Sequence, residues 1–193
     1  MLADDQEQIV CEYVDTFSCV RTDSDGNAIS LNPDIERFLK RDAVQFAKMK
    51  TAVTYLVFDL DDGALLGYFT LAHKPLTIPA QGLSRKIKDK IKRFSSIDEN
   101  GGSYLVSAFL LAQFGKNYAV DNGERLKGDR LMSVVFDYLT DAQNMVGGTI
   151  VYLDCEADAK LIRFYQDQQN FTLFGERISD SDGKRYLQYL KFI

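Results

Sequence analysis

Histidine is nearly missing from this sequence: His73 is the only one in 193 residues. Cysteine is scarce as well. Cys11, Cys19 and Cys155 are odd in number and stand at no metal-ligand spacing, so neither a disulfide framework nor a zinc site is expected. No stretch reaches the roughly eighteen continuous apolar residues of a membrane span. The opening residues Met1-Leu2-Ala3-Asp4-Asp5 are acidic where a secretory signal is basic. The expectation is a reduced, cytoplasmic protein without a membrane anchor or bound metal. Internal repeats, low-complexity tracts and linkers are absent too, so residues 1–193 read as a single domain. Its 46% hydrophobic content is enough to bury a real core.

Charge is present but segregated. The net charge is -5, yet the nine residues Arg85 to Arg93 contain six Lys/Arg and one acid, which leaves -10 for the other 184. Such a basic patch binds anions locally, while the body around it repels a long polyanion.

Along the chain, an amphipathic opening leads to Phe17–Arg21, and the cluster Thr22-Asp23-Ser24-Asp25-Gly26-Asn27 interrupts regular structure. Asn32-Pro33-Asp34 supplies an N-cap, a first-position proline and a first-turn acid for a helix to about Lys50, with Ile35, Phe38, Leu39, Val44 and Phe46 at helical spacings. Ala52–Leu60 and Ala64–Ala72 are β-rich around the turn Asp61-Asp62-Gly63, an antiparallel hairpin. The character changes between Pro75 and Pro79. Leu83–Phe94 follows as a short basic helix anchored by Ile87, Ile91 and Phe94, and Ser95–Gly102 is a polar loop.

Ser103–Phe114 is the most apolar run, which predicts a central strand buried on both faces. It ends in Phe114-Gly115-Lys116-Asn117-Tyr118, and a polar loop then leads to Arg125-Leu126-Lys127-Gly128-Asp129-Arg130. There a helix begins, with Leu131, Val135, Leu139, Ala142 and Val146 on one face until Gly147-Gly148 stops it. Thr149–Asp154 is the next strand, and strand–helix–strand predicts parallel neighbours joined by a right-handed crossover. Ala157–Gln168 is a second helix. Phe171–Arg177 and Arg185–Ile193 are strands joined by a turn at Ser179–Gly183. A strand that breaks into a glycine-bearing basic turn and then a helix aims several N–H groups and a helix N-terminus at one spot, which suits a phosphate. The same residues also read as an ordinary strand-to-helix turn.

This order of elements resembles the GNAT superfamily of acetyl-CoA-dependent N-acetyltransferases over nearly the whole chain. The resemblance is sharpest at Arg125–Arg130 and at Leu161-Ile162-Arg163-Phe164-Tyr165, followed by Phe171. It implies a mixed, mostly antiparallel central sheet with helices on both faces, an α/β (α+β) fold. The family's pyrophosphate turn is Gln/Arg-x-x-Gly-x-Gly/Ala. Here Gly128 matches the last position, while Leu126 stands where the first glycine is usual and Gly123 where Gln/Arg is expected. Asp34–Lys74 and Phe114–Asn117 also look like a narrower branch that includes toxins acetylating aminoacyl-tRNA.

By this resemblance the strand end at Phe114, Gly115 and Lys116 pairs with the pantetheine amides of acetyl-CoA. The amides of Leu126, Lys127, Gly128, Asp129 and Arg130 hold its pyrophosphate, and Lys127 and Arg130 add charge or are plain surface. An N–H near Lys116 is the oxyanion donor. Tyr165 is the candidate general acid for the leaving thiolate, since a phenol is protonated at pH 7; the bland alternative is an aromatic core residue. For the general base, Glu99, Asp154 and Glu156 are carboxylates near strand ends or loops, and none is singled out. The acceptor is a primary amine of unstated identity. In the toxin reading Lys86, Lys88, Lys90, Lys92 and Arg93 grip tRNA phosphates, and otherwise they form a solvated face. A small DNA-binding antitoxin and a homodimer are further partners the resemblance implies. Two other readings are a Cys–His hydrolase built on Cys155 and His73, and a coenzyme-binding module without activity.

Overall fold

A computed structural model describes residues 4–97, 102–179 and 183–193. Glu99, the first three residues and the centre of the turn after Ser179 lie outside the described residues. The chain divides into two compact units, one built from residues up to Ala72 with Leu111–Val135, the other from His73–Leu110 with Phe136–Ile193. Strands β4 (Leu65–Pro79) and β6 (Ser103–Lys116) contribute a segment to each.

In the first unit, helix α1 (Asp4–Asp15) precedes a small antiparallel hairpin of β1 (Val20–Thr22) and β2 (Ala28–Ser30). The turn cluster at 22–27 closes this hairpin. Asp23 Oδ1 accepts the N–H groups of Asp25 and Asn27, and Gly26 takes a φ of 83°. The helix expected from Asn32 to Lys50 runs as α2 (Pro33–Arg37), a π-helical turn (Phe38–Asp42) and α3 (Ala43–Lys48). Leu39, Ala43, Val14, Phe17, Cys19, Leu65 and Tyr68 form this unit's core. β3 (Val53–Phe58) pairs antiparallel with β4, from Val53↔Leu71 to Val57↔Gly67, as the hairpin reading expects.

Neighbouring strand residues point to opposite faces, and β4 shows both covered. Tyr68 donates its hydroxyl to the Ile35 carbonyl oxygen of α2 at 2.6 Å. On the other face a Cβ added to Gly67 would meet Leu131 of α5 (Gly128–Val146) at 3.5 Å. Helices therefore flank the sheet on both sides, in keeping with the expected architecture.

In the second unit the strand order is β4, β6, β7 (Ile150–Glu156), β9 (Arg185–Phe192), β8 (Thr172–Ile178), with the short β5 (Ser96–Ile97) also on β6. β6 and β7 are parallel through Phe109↔Val151 and Leu110↔Tyr152, whereas β5–β6, β7–β9 and β8–β9 are antiparallel. Helix α4 (Arg85–Ile91), capped by Ser84, packs Ile87 and Ile91 against Leu76, Ile78, Tyr104 and Val106. α6 (Ala159–Ile162) begins on Asp158, whose carboxylate accepts from Lys160 and Leu161, and continues as a π-helical turn Arg163–Gln168.

Three expectations change: the segment expected as a polar loop from Ser95 carries the short strand β5, which pairs with β6 through Ser96↔Leu105 and Ile97↔Tyr104, and two strands differ in extent or burial. β4 continues to Pro79 instead of ending near Ala72, because Leu76 and Ile78 alternate inward with exposed neighbours. β6 is not buried on both faces along its length, since Tyr104, Val106 and Ala108 face the core while Leu105 and Ser107 are exposed.

The end of β6 is fixed by one buried amide. Asn117 Oδ1 accepts from the N–H of Ser18 (2.9 Å) and of Ala119 (3.0 Å), and Nδ2 donates to the carbonyls of Leu65 (2.8 Å) and Thr16 (3.3 Å). Removing the amide strands buried backbone groups at a cost of about 1–3 kcal/mol each. Asn117→Ala is therefore expected to lower stability by about 2–4 kcal/mol, seen as a reduced urea midpoint. Asn117→Asp should do likewise, because a carboxylate cannot donate to the two carbonyls. An unchanged midpoint in both variants would remove the amide from this role.

Candidate active site

Between β6 and α5 the chain makes the turn predicted to hold phosphate, and the first unit pins it at five places. Lys116 Nζ donates to the Gly123 carbonyl at 2.8 Å and lies over the Tyr118 ring, so this ammonium closes the loop on itself. Burial, with Arg21 adding to it, draws the Lys116 amine below its ordinary value despite Glu124 nearby. Asp121, Asn122 and Gly123 take φ values of 46°, 53° and 75°. That left-handed run favours asparagine and glycine, and Asn122 is held there by paired bonds with the Thr22 backbone. Asn117 is the third tie.

The fourth is Arg125, whose guanidinium reaches Asp59 and Asp62 at the β3–β4 turn. Its bond to Asp62, with the Ala64 N–H, holds that carboxyl below the usual range. Arg125 thus anchors the loop and is spent on this contact. The fifth is Leu126, 6% exposed, whose side chain fills the space over Gly67. A Cβ on Gly67 would sit 3.0 Å from Leu126 Cδ2 and 2.8 Å from the Gly115 carbonyl oxygen. Gly115 is equally tight, since a Cβ there would lie 2.6 Å from Ile35 Cγ2. The glycine usual in the turn is replaced by leucine, and the strand beneath supplies a glycine instead.

Helix α5 starts at Gly128, and its first hydrogen bond runs from the Leu131 N–H to the Lys127 carbonyl at 3.1 Å. The N–H groups of Lys127, Gly128 and Asp129 precede that ladder and point out of the helix end, where the dipole is positive. Lys127, Asp129 and Arg130 are exposed. The Arg130 N–H is taken by Asp129 Oδ1 at 2.9 Å, so the terminus carries a carboxylate of its own. Phe114 is half-buried, and the β6–β7 ladder has already ended at Leu110. The residues named from sequence at Phe114–Lys116 and Leu126–Arg130 are thus brought together by one strand–turn–helix, with Lys127, Asp129 and Arg130 exposed.

In the second unit Tyr165 sits on the π-helical turn, 7% exposed, with ring centroids of Phe164, Phe171 and Tyr189 at 5.1, 5.9 and 6.4 Å. Burial, and secondarily the Cys155 thiol, pushes its phenol well above the ordinary value. The phenol therefore keeps its proton throughout the neutral range. Of the carboxylates considered as base, Asp154 is paired with Arg177 and also accepts from Gln188, and Glu156 is paired with Lys184.

The Cys–His hydrolase does not assemble. The Cys155 thiol is pushed up to about 12 by burial and by Asp154, Asp158 and Glu156, the reverse of what a thiolate nucleophile needs. His73 instead bonds Ser107 Oγ at 3.0 Å and packs on Phe109. Among the described residues no cluster of three or more His, Cys, Asp or Glu is placed to hold a metal ion, and no helix is long and apolar enough to cross a membrane. Sequence reasoning missed the ties made by Asn117, Asn122, Gly67 and Arg125. Of these, only the Asn122-Gly123 pair carried a local turn signal.

Arg125→Met is expected to free the loop. Faster amide hydrogen exchange over residues 117–127 is the readout, with the rest of the first unit unchanged. Because the Asp62 pKa is depressed in the folded state, its ion pair contributes above the unfolded value of about 3.9. The contribution disappears as pH falls through the lower folded value, so wild type and Arg125→Met should converge in acid. Equal exchange at pH 7 would show that the tie holds nothing.

No family model matches the chain, and no curated protein matches it. Solved structures do. AtaT complexed with acetyl-methionyl-tRNAfMet superposes with a TM-score of 0.59 at 15% identity, over 90% of this chain and 85% of that one. A tyrosine-to-phenylalanine mutant of KacT gives 0.59 at 16% identity, over 90% and 85%. A similar mutant of the AtaT toxin, bound to the C-terminus of the antitoxin AtaR and acetyl-CoA, gives 0.54 at 12% identity, over 91% and 82%. The chain therefore shares the fold of AtaT and KacT, a GNAT-like mixed sheet flanked by helices.

Proposed function

We propose that this protein is an acetyl-CoA-dependent N-acetyltransferase, the whole chain serving as one catalytic domain in the cytoplasm. The observation that carries the reading is the pinned strand–turn–helix from Phe114 to Arg130, which presents backbone N–H groups at the start of α5. Phe114, Gly115 and Lys116 receive the pantetheine amides through their backbone. The amides from Leu126 to Asp129 receive the pyrophosphate, that of Arg130 being taken by Asp129 Oδ1, and the exposed side chains of Lys127 and Arg130 add charge. Acetyl-CoA supplies the activated acyl group.

The chain's own residues then manage protons. A neutral amine attacks the thioester carbonyl, an N–H near Lys116 receives the developing oxyanion, Tyr165 donates its proton to the departing thiolate, and the proton shed by the attacking nitrogen restores the phenol as the amide forms. A base is harder to find, because Asp154 and Glu156 are both in ion pairs. This favours an acceptor that is already partly neutral. At pH 7.5 an α-amine with pKa of about 7.8 is about one-third unprotonated, whereas a lysine at about 10.4 is roughly 0.1% unprotonated. The α-amino group of an aminoacyl-tRNA meets that condition. The AtaT complex with acetyl-methionyl-tRNAfMet and the basic run Arg85–Arg93 support this acceptor over other amines.

Calorimetry with acetyl-CoA and desulfo-coenzyme A tests the first step. Micromolar binding that Gly128→Glu abolishes is the expected result, and an intact protein that binds neither ligand would leave only a non-enzymatic role. Removing the carboxylate beside the pyrophosphate in Asp129→Asn should tighten binding roughly two- to fivefold at low salt, since a single first-turn charge is worth about 0.3–1 kcal/mol. Tyr165→Phe keeps the aromatic packing and should lower turnover on the order of 100-fold while leaving acetyl-CoA affinity unchanged. Turnover equal to wild type on a verified acceptor would return Tyr165 to the core.

A further inference from the structure

Strand β4 is buried from Leu65 to Ala72 and then turns to solvent at His73, Lys74 and Pro75. Those three residues line a pocket of about 380 Å³ in the second unit together with Phe94, Ser96, Leu105, Val106 and Ser107. Cavities of roughly 300–1,000 Å³ are the size that takes small ligands.

The lining is chemically selective. In a chain with 28 acidic and 23 basic residues, it contains a lysine, the single histidine and two serines, and no carboxylate. His73 is oriented by its bond to Ser107 Oγ and by the Phe109 ring at 4.8 Å. Phe94 is 36% exposed and meets the Phe192 ring at 6.2 Å with an interplanar angle of 76°, and Leu105 is 49% exposed.

Phe94 is also the residue that ends the basic run. Within that run Lys90 lies over the Phe192 ring and Arg85 stands 3.9 Å from Asp89. Among the described residues Lys86, Lys88, Lys92 and Arg93 enter no ion pair, and neither does Lys74. A helix with cations outside any ion pair on both flanks of its buried Ile87–Ile91 stripe, leading into a pocket with one cation, an imidazole, hydroxyls and an aromatic ring, fits phosphates followed by a base.

We propose that this pocket is a nucleotide subsite for single-stranded RNA. Phe94 and Leu105 take the base, Lys74 and His73 the phosphate, and Ser96 and Ser107 the ribose or phosphate oxygens, with Lys86, Lys88, Lys92 and Arg93 tracking the preceding backbone. The proposal rests on the aminoacyl-tRNA reading of the acceptor and assigns it a place on this chain.

The test is fluorescence anisotropy of the full chain with a fluorescein-labelled single-stranded RNA hexamer, across a salt series, with acetyl-CoA binding measured in parallel. Wild type should bind more tightly as salt falls. His73→Ala and Phe94→Ala should each weaken binding roughly tenfold, and Lys74→Glu, at an exposed position, should do so while reducing the salt slope by about 0.7 or more. Acetyl-CoA affinity should be unchanged in all three. If wild type binds the hexamer and the variants match it, the subsite is overturned while an RNA acceptor stands. If wild type shows no salt-dependent RNA binding, the RNA acceptor reading fails and the subsite with it. A poly-glutamate peptide that displaces the hexamer at equal charge would show a general anion patch and overturn the nucleotide assignment.

Discussion

The candidate site depends on a buried asparagine that never needs to touch a ligand. Asn117 lies directly after β6 and uses both its oxygen and its nitrogen inside the first unit, while its own N–H bonds the Leu66 carbonyl. A buried amide with all its bonds made specifies one arrangement, because every shift leaves an unpaired group. The arrangement it specifies joins the end of α1, the approach to β1 and the start of β4 to the last residue before the loop. From that fixed point the chain can expose backbone N–H groups at the start of α5 without collapsing onto them. Arg125 and Asn122 then limit where the loop can go, and neither spends a residue of the turn's last segment.

Glycine placement on the neighbouring strand explains how this turn accommodates a leucine. The usual turn has a small residue where this chain has Leu126, and a side chain there needs somewhere to go. It goes into the space left by Gly67 on β4, where even a methyl group would collide with Leu126 and the Gly115 carbonyl. The exchange preserves close approach between turn and strand and adds an apolar contact, with Leu126 nearly fully buried. Backbone amides, which carry no sequence signature, remain in place. The feature that does oppose an anion is Asp129, whose carboxylate occupies one of the terminal N–H groups.

Local patterns made most of the fold legible. Proline after asparagine marked α2, the Asp-Asp-Gly turn marked the β3–β4 hairpin, the Gly147-Gly148 pair ended α5, and the strand–helix–strand order gave the parallel β6–β7 pair. What stayed hidden was settled by partners distant in sequence. The continuation of β4 past Ala72 depends on Leu76 and Ile78 reaching a core built largely from residues after 103. The exposure of Leu105 and Ser107 depends on which face of β6 is left uncovered. In the site, the turn was visible because glycine and basic residues are local signals. Its supports were not, because Asn117 contacts residues 99 and 52 positions away and Arg125 reaches 63 positions back. Asp154 and Glu156 looked available as bases for the same reason, since their cations arrive from β8 and from just before β9.

The acidic composition of the chain bears less on its partners than the net charge suggests. At physiological ionic strength the Debye length is about 8 Å, and a seven-residue helix such as α4 is about 10 Å long. A phosphate resting on that helix senses Lys86, Lys88, Lys92 and Arg93 at close range, and the helix's one acid, Asp89, lies 3.9 Å from the Arg85 guanidinium. The net -5 of the whole molecule acts mainly on long-range approach, slowing encounter with a polyanion without cancelling the contact once made. A partner that offers only a few phosphates to the basic run gains its attraction and escapes most of the repulsion.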